Sequence, residues 1–349
     1  MTEKDILNVL KNVIDPDLKK NLVSLNMIKN IEIKNHIVKF DLELTTPACP
    51  LQEKIKNECE MNLKKYNSKI KSIINITSNV KASKNKNQIR NIKNIIAISS
   101  GKGGVGKSTI SSNLAVGLSK LGAKVGLIDA DISGPSIPAM FNCENQQPEI
   151  KKINQKNVIV PFIQYGVKIL SMGLLIPKNK AVIWRGPMAS SALKQFIEDV
   201  EWGELDYLLV DLPPGTGDIH ITLTQSFPIS GAIIITTPQK ISLNDVIKSI
   251  SMYNQKQTKI PILGVIENMS YFTPKELPNK KYYLFGRDGG KKIAKDYNLN
   301  LLGEIPIDEE IMNSSDNGLP IYLKNSKITD LYKNICQNIA RIIAIKNSK

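Results

Sequence analysis

Residues 95–108 read Ile95-Ile96-Ala97-Ile98-Ser99-Ser100-Gly101-Lys102-Gly103-Gly104-Val105-Gly106-Lys107-Ser108. A short apolar run stops at a glycine-rich loop, and a helical pattern over 109–121 starts directly after it. Strand, loop and helix in that order fit GxxxxGK[ST], in which glycines let backbone N–H groups turn inward around phosphate oxygens. The lysine neutralises phosphate charge, the serine hydroxyl holds Mg2+, and the helix N-terminus adds the positive end of its dipole. Gly101, Lys102, Gly103, Gly104, Val105, Gly106, Lys107, Ser108 and Thr109 are therefore the expected nucleotide-binding set. The same glycines also spell GxGxxG (Gly101, Gly103, Gly106), with Asp129 about 20 residues on, as a dinucleotide fold requires. Two features favour a triphosphate: the lysine and serine directly after the last glycine, and a second acidic strand end at Leu208-Leu209-Val210-Asp211. Ser108, Asp129 and Asp211 are the expected surroundings of Mg2+.

Working outward, further apolar runs at 125–129, 207–211, 232–236 and 262–267 each end where a loop begins. Short strands alternating with helices predict βαβ units: an α/β fold, a mostly parallel sheet flanked by helices, with ligands at the carboxyl ends of the strands. The chemistry should lie in the residues that follow. Asp129 and Asp131 close the second strand; one is expected to hold a magnesium-bound water and the other to orient the attacking water, the alternative for Asp131 being a helix cap. Pro213-Pro214-Gly215-Thr216-Gly217-Asp218 is a rigid, then flexible, loop suited to sensing a γ-phosphate. Trp184-Arg185 is a candidate partner or dimer contact, with packing the default for the tryptophan.

Before the loop the chain is different. Residues 1–93 carry 18 basic and 10 acidic side chains, and 64–93 hold nine basic and no acidic ones. The stretch 81–94 (KASKNKNQIRNIKN) is read as a lysine-rich linker between a small α+β domain at 1–80 and a second domain at 95–345. In the small domain, 4–14 has helical spacing, 31–44 alternates around a turn near Asn35, and a helix at 50–66 precedes a strand at 70–76. Cys49 stands before Pro50, so it is expected at or next to the helix N-cap, where unpaired N–H groups favour a thiolate. The alternative is a small buried hydrophobe. The apolar stripe of 327–345 allows a membrane-targeting helix or, preferred, a helix packed on the sheet.

The chain has 349 residues, 42% hydrophobic and 23% charged, which excludes wholesale disorder. No run reaches the roughly 18 apolar residues of a membrane span, and residues 1–5 lack a signal peptide's apolar stretch, so a soluble cytoplasmic protein without a membrane partner is expected. Four scattered cysteines (49, 59, 143, 336) make no disulfide framework. The formal charge is +15, but only four of the 47 basic residues are arginine. Nucleic acid is therefore not the expected partner, and compositional bias explains the lysines as well.

The residues also carry a resemblance. KGGVGKS at 102–108, with a lysine after the first glycine, is similar to the deviant Walker A of MinD/ParA-type ATPases. DADISGPSIP (129–138), WRGPMAS (184–190), DLPPGTGD (211–218), TTPQ (236–239) and ENMS (267–270) resemble the Mrp/ApbC family of iron-sulfur cluster carrier ATPases. DPDLKKNLVSLNMI (15–28) and LTTPACPL (44–51) are similar to the small iron-sulfur assembly domain found in front of that ATPase. The resemblance implies a homodimer that binds and slowly hydrolyses ATP with Mg2+ and passes a bridged [4Fe-4S] cluster to apo iron-sulfur proteins. It implies Lys107 and Ser108 as phosphate lysine and magnesium ligand, and Lys102 as a catalytic lysine reaching the partner's phosphates. Asp131 becomes the water-orienting aspartate, Asp211 the Walker B carboxylate, and Asn268 an adenine contact. One departure stands out. The family's CxxC after ENMS is absent, since 270–286 (SYFTPKELPNKKYYLFG) holds no cysteine. Cys49 is then the remaining candidate for a cluster ligand or reactive thiol. The rival reading is a MinD/ParA-like positioning or partition protein binding DNA or membrane.

Overall fold

A computed structural model describes residues 1–83, 89, 91–132, 134–153, 155–174 and 186–348. The chain forms two compact units, Met1–Lys81 with Ala340–Lys349, and Ala82–Ile339. Trp184 and Arg185 lie outside the described residues.

The first unit begins with α1 (Glu3–Leu10), closed by a capping box. The Thr2 hydroxyl accepts the Asp5 N–H at 3.3 Å and the Asp5 carboxylate accepts the Thr2 N–H at 2.7 Å, satisfying two donors that a helix start leaves open. The helix is shorter than its spacing predicts. It stops at Leu10, and Ile14 sits 55% exposed in a two-residue strand paired with Asn21. Strands β1 (Ile28–Lys34) and β2 (Ile37–Leu44) pair antiparallel around Asn35 and His36, both at positive φ as a tight hairpin demands. Helix α2 (Gln52–Tyr66) crosses to β3 (Lys71–Ser78), which pairs parallel with β2. Alternate residues Val38, Phe40, Leu42 and Leu44 of β2 meet Ile55, Cys59 and Leu63 of α2, one face against one stripe.

In the second unit, β4 (Ile95–Ser100) leads through the glycine loop into α3 (Lys107–Lys120) and β5 (Val125–Asp129). Then follow β6 (Phe162–Gln164), β7 (Val167–Ser171), α4 (Gly186–Glu198), β8 (Tyr207–Asp211), α5 (Asp218–Ser226) and β9 (Ile229–Thr236). The unit continues with α6 (Lys240–Asn254), β10 (Ile262–Glu267), α7 (Gly289–Asp296), β11 (Leu301–Glu304) and the first part of α8 (Lys327–Ser348), whose residues from Ala340 on are counted with the first unit. Among the described residues eight strands form one sheet in the order β6-β7-β5-β8-β4-β9-β10-β11, parallel except for β6. Every residue of β4, β5, β8 and β9 is buried, which is why these runs are apolar throughout rather than alternating. The chain winds to one side of β4 before β8 and to the other side after it, so the glycine loop emerges at the switch point of the sheet.

One expectation changes here and another holds. Residues 91–94 are no solvated linker: Ile92 and Asn94 are buried, and the Lys93 N–H donates to the Leu205 carbonyl at 2.9 Å. The stripe of α8 (Ile328, Tyr332, Ile335, Ile339, Ile343) is buried, and Cys336 Sγ donates to the Leu114 carbonyl of α3 at 3.7 Å. This supports the packed helix. Among the described residues no helix is long and apolar enough to cross a membrane.

Candidate functional site

The site is built on two buried carboxylates at the ends of neighbouring parallel strands, Asp129 on β5 and Asp211 on β8, which are register partners. Lys107, the first residue of α3, is 7% exposed and holds its Nζ 2.9 Å from Asp211 Oδ2. The Ser108 hydroxyl donates to the same oxygen at 2.6 Å, and the Ser111 hydroxyl donates to Oδ1 at 2.6 Å. Asp129 accepts the Ser171 hydroxyl at 3.0 Å and the N–H groups of Ile137 and Asp131, each at 3.2 Å. Burial, then the charge of Asp211, pushes the Asp129 carboxyl above the usual carboxylate range. Two carboxylates facing one ammonium leave the site short of positive charge. The donors are all oxygen, from Ser108, Asp129 and Asp211, so the set fits a hard divalent cation such as Mg2+.

The loop is held tightly over these groups. Gly104 and Gly106 adopt φ of 79° and 80°, the left-handed conformation that glycine takes at no steric cost. A Cβ on Gly106 would collide with the Asn268 amide, whose Nδ2 donates to the Val105 carbonyl at 2.9 Å. A Cβ on Gly101 would lie 2.6 Å from the Asp245 carbonyl oxygen of α6, too close for any side chain. In front of the loop is a cleft of about 240 Å3 bounded by Lys102, Gly103, Gly104, Lys107, Ser108, Thr109, Asp131, Met140 and Pro214. Asp131 and Lys102 thus share one cleft with Ser108, and Lys102 is exposed at its rim. Asn268 is buried behind the loop, braced against it.

The loop after β8 is tied to the loop-bearing strand. Leu212 N–H donates to the Ile98 carbonyl at 3.0 Å, and Gly215 N–H, at a φ of 92°, donates to the Ser100 carbonyl at 2.9 Å. Pro214 reaches the cleft between these anchors and α5. On α5, His220 is fully buried, with Nε2 3.5 Å from the Ser99 hydroxyl and no partner for Nδ1 among the described residues. Burial, aided by the Lys107 charge, pushes its pKa down to about 4. His220, Ser111 and Ser171 escape a sequence reading. Ser111 alone leaves a trace, four residues after Lys107 and so on the same helical face.

The depressed His220 pKa has a sign. The unfolded chain binds a proton near pH 6.5 that the folded chain refuses until about pH 4, so this contribution is intact above 6.5 and is lost as pH falls between them. The loss amounts to about 3 kcal/mol in urea unfolding. His220→Gln, which has no charge to gain, is expected to lose less stability than wild type over that range.

Cys49 differs from expectation. Helix α2 starts at Gln52 with Leu51 as its N-cap, so Pro50 is not the first helical residue and Cys49 lies outside the cap. Burial chiefly, and the nearby Asp15 and Asp17, raise the thiol's pKa against a Leu51 N–H that lowers it. The resting group is a half-buried thiol, not a thiolate. Cys59, Cys143 and Cys336 are fully buried.

Comparison with known proteins shows the family. A family model described as NUBPL iron-transfer P-loop NTPase matches residues 91–340. The chain belongs to this family. A second model, iron-sulfur cluster assembly protein, matches 3–71. Relatives of this chain include the iron-sulfur cluster carrier protein of Synechocystis sp., 46% identical over 324 residues (92% of this chain, 91% of the relative). The protein of that name from Escherichia coli is 37% identical over 340 residues (96% and 90%). A nucleotide-binding protein from Archaeoglobus fulgidus, solved in complex with ADP, is 37% identical with a TM-score of 0.59, covering 69% of this chain and 93% of that one. Membership of a P-loop NTPase family makes this a nucleotide-using fold, in keeping with the mostly parallel sheet.

Proposed function

We propose that this chain binds ATP with Mg2+ in the glycine-loop cleft, hydrolyses it slowly, and couples that cycle to carrying iron-sulfur clusters to apo iron-sulfur proteins. The observation that carries the nucleotide half is the buried Lys107–Asp211–Ser108 constellation beneath two left-handed glycines. The carrier half rests on relatives bearing that name across more than nine-tenths of this chain. They also favour it over a positioning or partition role.

In this reading the loop N–H groups and Lys107 bind the β- and γ-phosphates, and Thr109 lies beside them. Bound at Ser108, Asp129 and Asp211, Mg2+ would neutralise charge developing on the transferred phosphoryl group. Asp131 orients the attacking water. Lys102, exposed at the rim, acts from a second copy of the chain, so charge in the transition state is stabilised only within a homodimer. Asn268 serves the adenine side by fixing the loop against which the nucleotide rests. Asp131→Ala is accordingly expected to keep ATP affinity within a few-fold and to slow turnover about a hundredfold. Calorimetry and phosphate release measure the two separately, and wild-type turnover in this variant would remove Asp131 from the mechanism.

The cluster is cargo. Without the CxxC after ENMS, a [4Fe-4S] cluster on this chain is held through Cys49 and through thiols of a second copy or of the recipient. Opening of the half-buried site must accompany loading, because iron takes the thiolate. Anaerobic reconstitution with iron and sulfide is expected to give wild type the visible absorption of a cluster and to give Cys49→Ser little of it. Equal spectra would exclude Cys49.

A further inference from the structure

The segment 271–287 is a feature of the second unit that the glycine-loop cleft does not use. It is an ordered hairpin: Phe272 and Tyr282 exchange backbone hydrogen bonds at 2.8 Å, and the Ile307 N–H anchors its base to the Tyr271 carbonyl at 2.7 Å. It leaves large apolar groups in water, with Leu284 61%, Leu277 48% and Tyr283 38% exposed. Isolated exposed side chains are ordinary, but several large apolar ones exposed along one hairpin point to an interaction surface.

The cations among these groups are arranged unusually. Lys281 Nζ lies 3.8 Å from the ring centre of Tyr271, Lys280 Nζ 5.6 Å from that of Tyr282, and the Arg287 guanidinium 4.7 Å from that of Tyr283. Rings, not carboxylates, hold Lys280 and Lys281, which form no ion pair among the described residues, while Lys275 and Arg287 pair only with exposed acids. Aromatic faces orient a cation without neutralising it. Over 271–292 there are six basic and two acidic residues. Lys280 and Lys281 therefore present oriented, unneutralised positive charge on a hairpin that also exposes aliphatic groups.

We propose that this hairpin is a docking surface for an acidic segment of a partner protein, with carboxylates meeting Lys280, Lys281 and Arg287 and apolar side chains covering Leu277 and Leu284. Charge complementarity selects the acidic partner. Single-stranded nucleic acid fits less well, because its bases need the tyrosine faces that the chain's own cations cover and find nothing to pair with on aliphatic groups. An anionic membrane fits less well too: along the chain Lys280 and Lys281 lie between Leu277 and Leu284, whereas an inserting loop keeps its cations behind an apolar tip. The inference is independent of the proposed function, since it needs neither ATP turnover nor a cluster.

The test uses the full chain and a short fluorescein-labelled peptide of alternating glutamate and leucine, read by anisotropy. Lys280→Glu with Lys281→Glu is expected to weaken binding at least about tenfold. Lys64→Glu with Lys65→Glu on α2 makes the same change in net charge and is expected to leave binding within about twofold. Leu284→Ser, at a position too exposed to threaten folding, is expected to weaken binding about fivefold without touching charge. All three should bind ATP like wild type. Equal losses in the two charge variants, or none with Leu284→Ser, would overturn the proposal. So would failure of the peptide where oligothymidylate or phosphatidylserine vesicles bind in a hairpin-dependent way, or a shift from dimer to monomer in sedimentation velocity as the sole effect of the hairpin variants.

Discussion

Lys107→Ala is expected to reduce ATP affinity at least about a hundredfold, beyond the working range of calorimetry. The ammonium is the only cation within ion-pair distance of Asp211 among the described residues, and it is buried with it. Without it the phosphates would meet two buried carboxylates with no opposing side-chain charge. The same change weakens the fold, because removing one member of a buried pair leaves the other uncompensated, typically by about 3–5 kcal/mol. Asp129 softens that loss by taking up a proton, since its pKa is already raised by burial and by Asp211. The variant is therefore expected to stay folded at low temperature while failing to bind. Urea unfolding and far-ultraviolet circular dichroism separate the two effects. Wild-type affinity in a folded Lys107→Ala protein would show that the phosphates lie elsewhere.

Asp211→Asn separates turnover from binding. The amide keeps the shape of the carboxylate, and one oxygen remains to accept a serine hydroxyl. It cannot accept from both Ser108 and Ser111, as Asp211 does. Losing one of two facing negative charges relieves Asp129 while unpairing Lys107, so the effects on folding oppose each other. The site's grip on a divalent cation has no such compensation. ATP hydrolysis at saturating Mg2+ is expected to fall about a thousandfold, with ATP affinity much less changed. Hydrolysis within a few-fold of wild type would place the magnesium site away from Asp211.

The parts of this molecule that were legible beforehand share a cause. Strands at 125–129, 207–211 and 262–267 are buried on both faces, so their composition and length are fixed by the sheet and their ends by the loops. The glycine loop was legible because left-handed φ near 80° at Gly104 and Gly106 favours glycine. Val167–Ser171 and Leu301–Glu304 were not: one carries Lys168, whose ammonium bonds to the Trp202 carbonyl, and the other is four residues long with Gly303 inside it. The Cys49 setting was misread because proline marks a helix start only if the chain turns there, and this helix begins two residues later. His220 left no signal at all. A histidine buried between strand and helix looks, in sequence, like any other, and only its position behind Ser99 and near Lys107 gives it meaning. Asn268 is buried behind the loop with its amide bonded to the Val105 carbonyl, a property of the packing that ENMS does not encode.

The most direct test is isothermal titration of the full chain with ATP in the presence of Mg2+, with ATP and EDTA, and with NAD. A glycine loop backed by Lys107, Ser108 and two acidic strand ends predicts one saturable ATP site per chain, markedly weakened when the metal is chelated, and no heat from NAD. Saturable binding of NAD with indifference to ATP would contradict the account at its root.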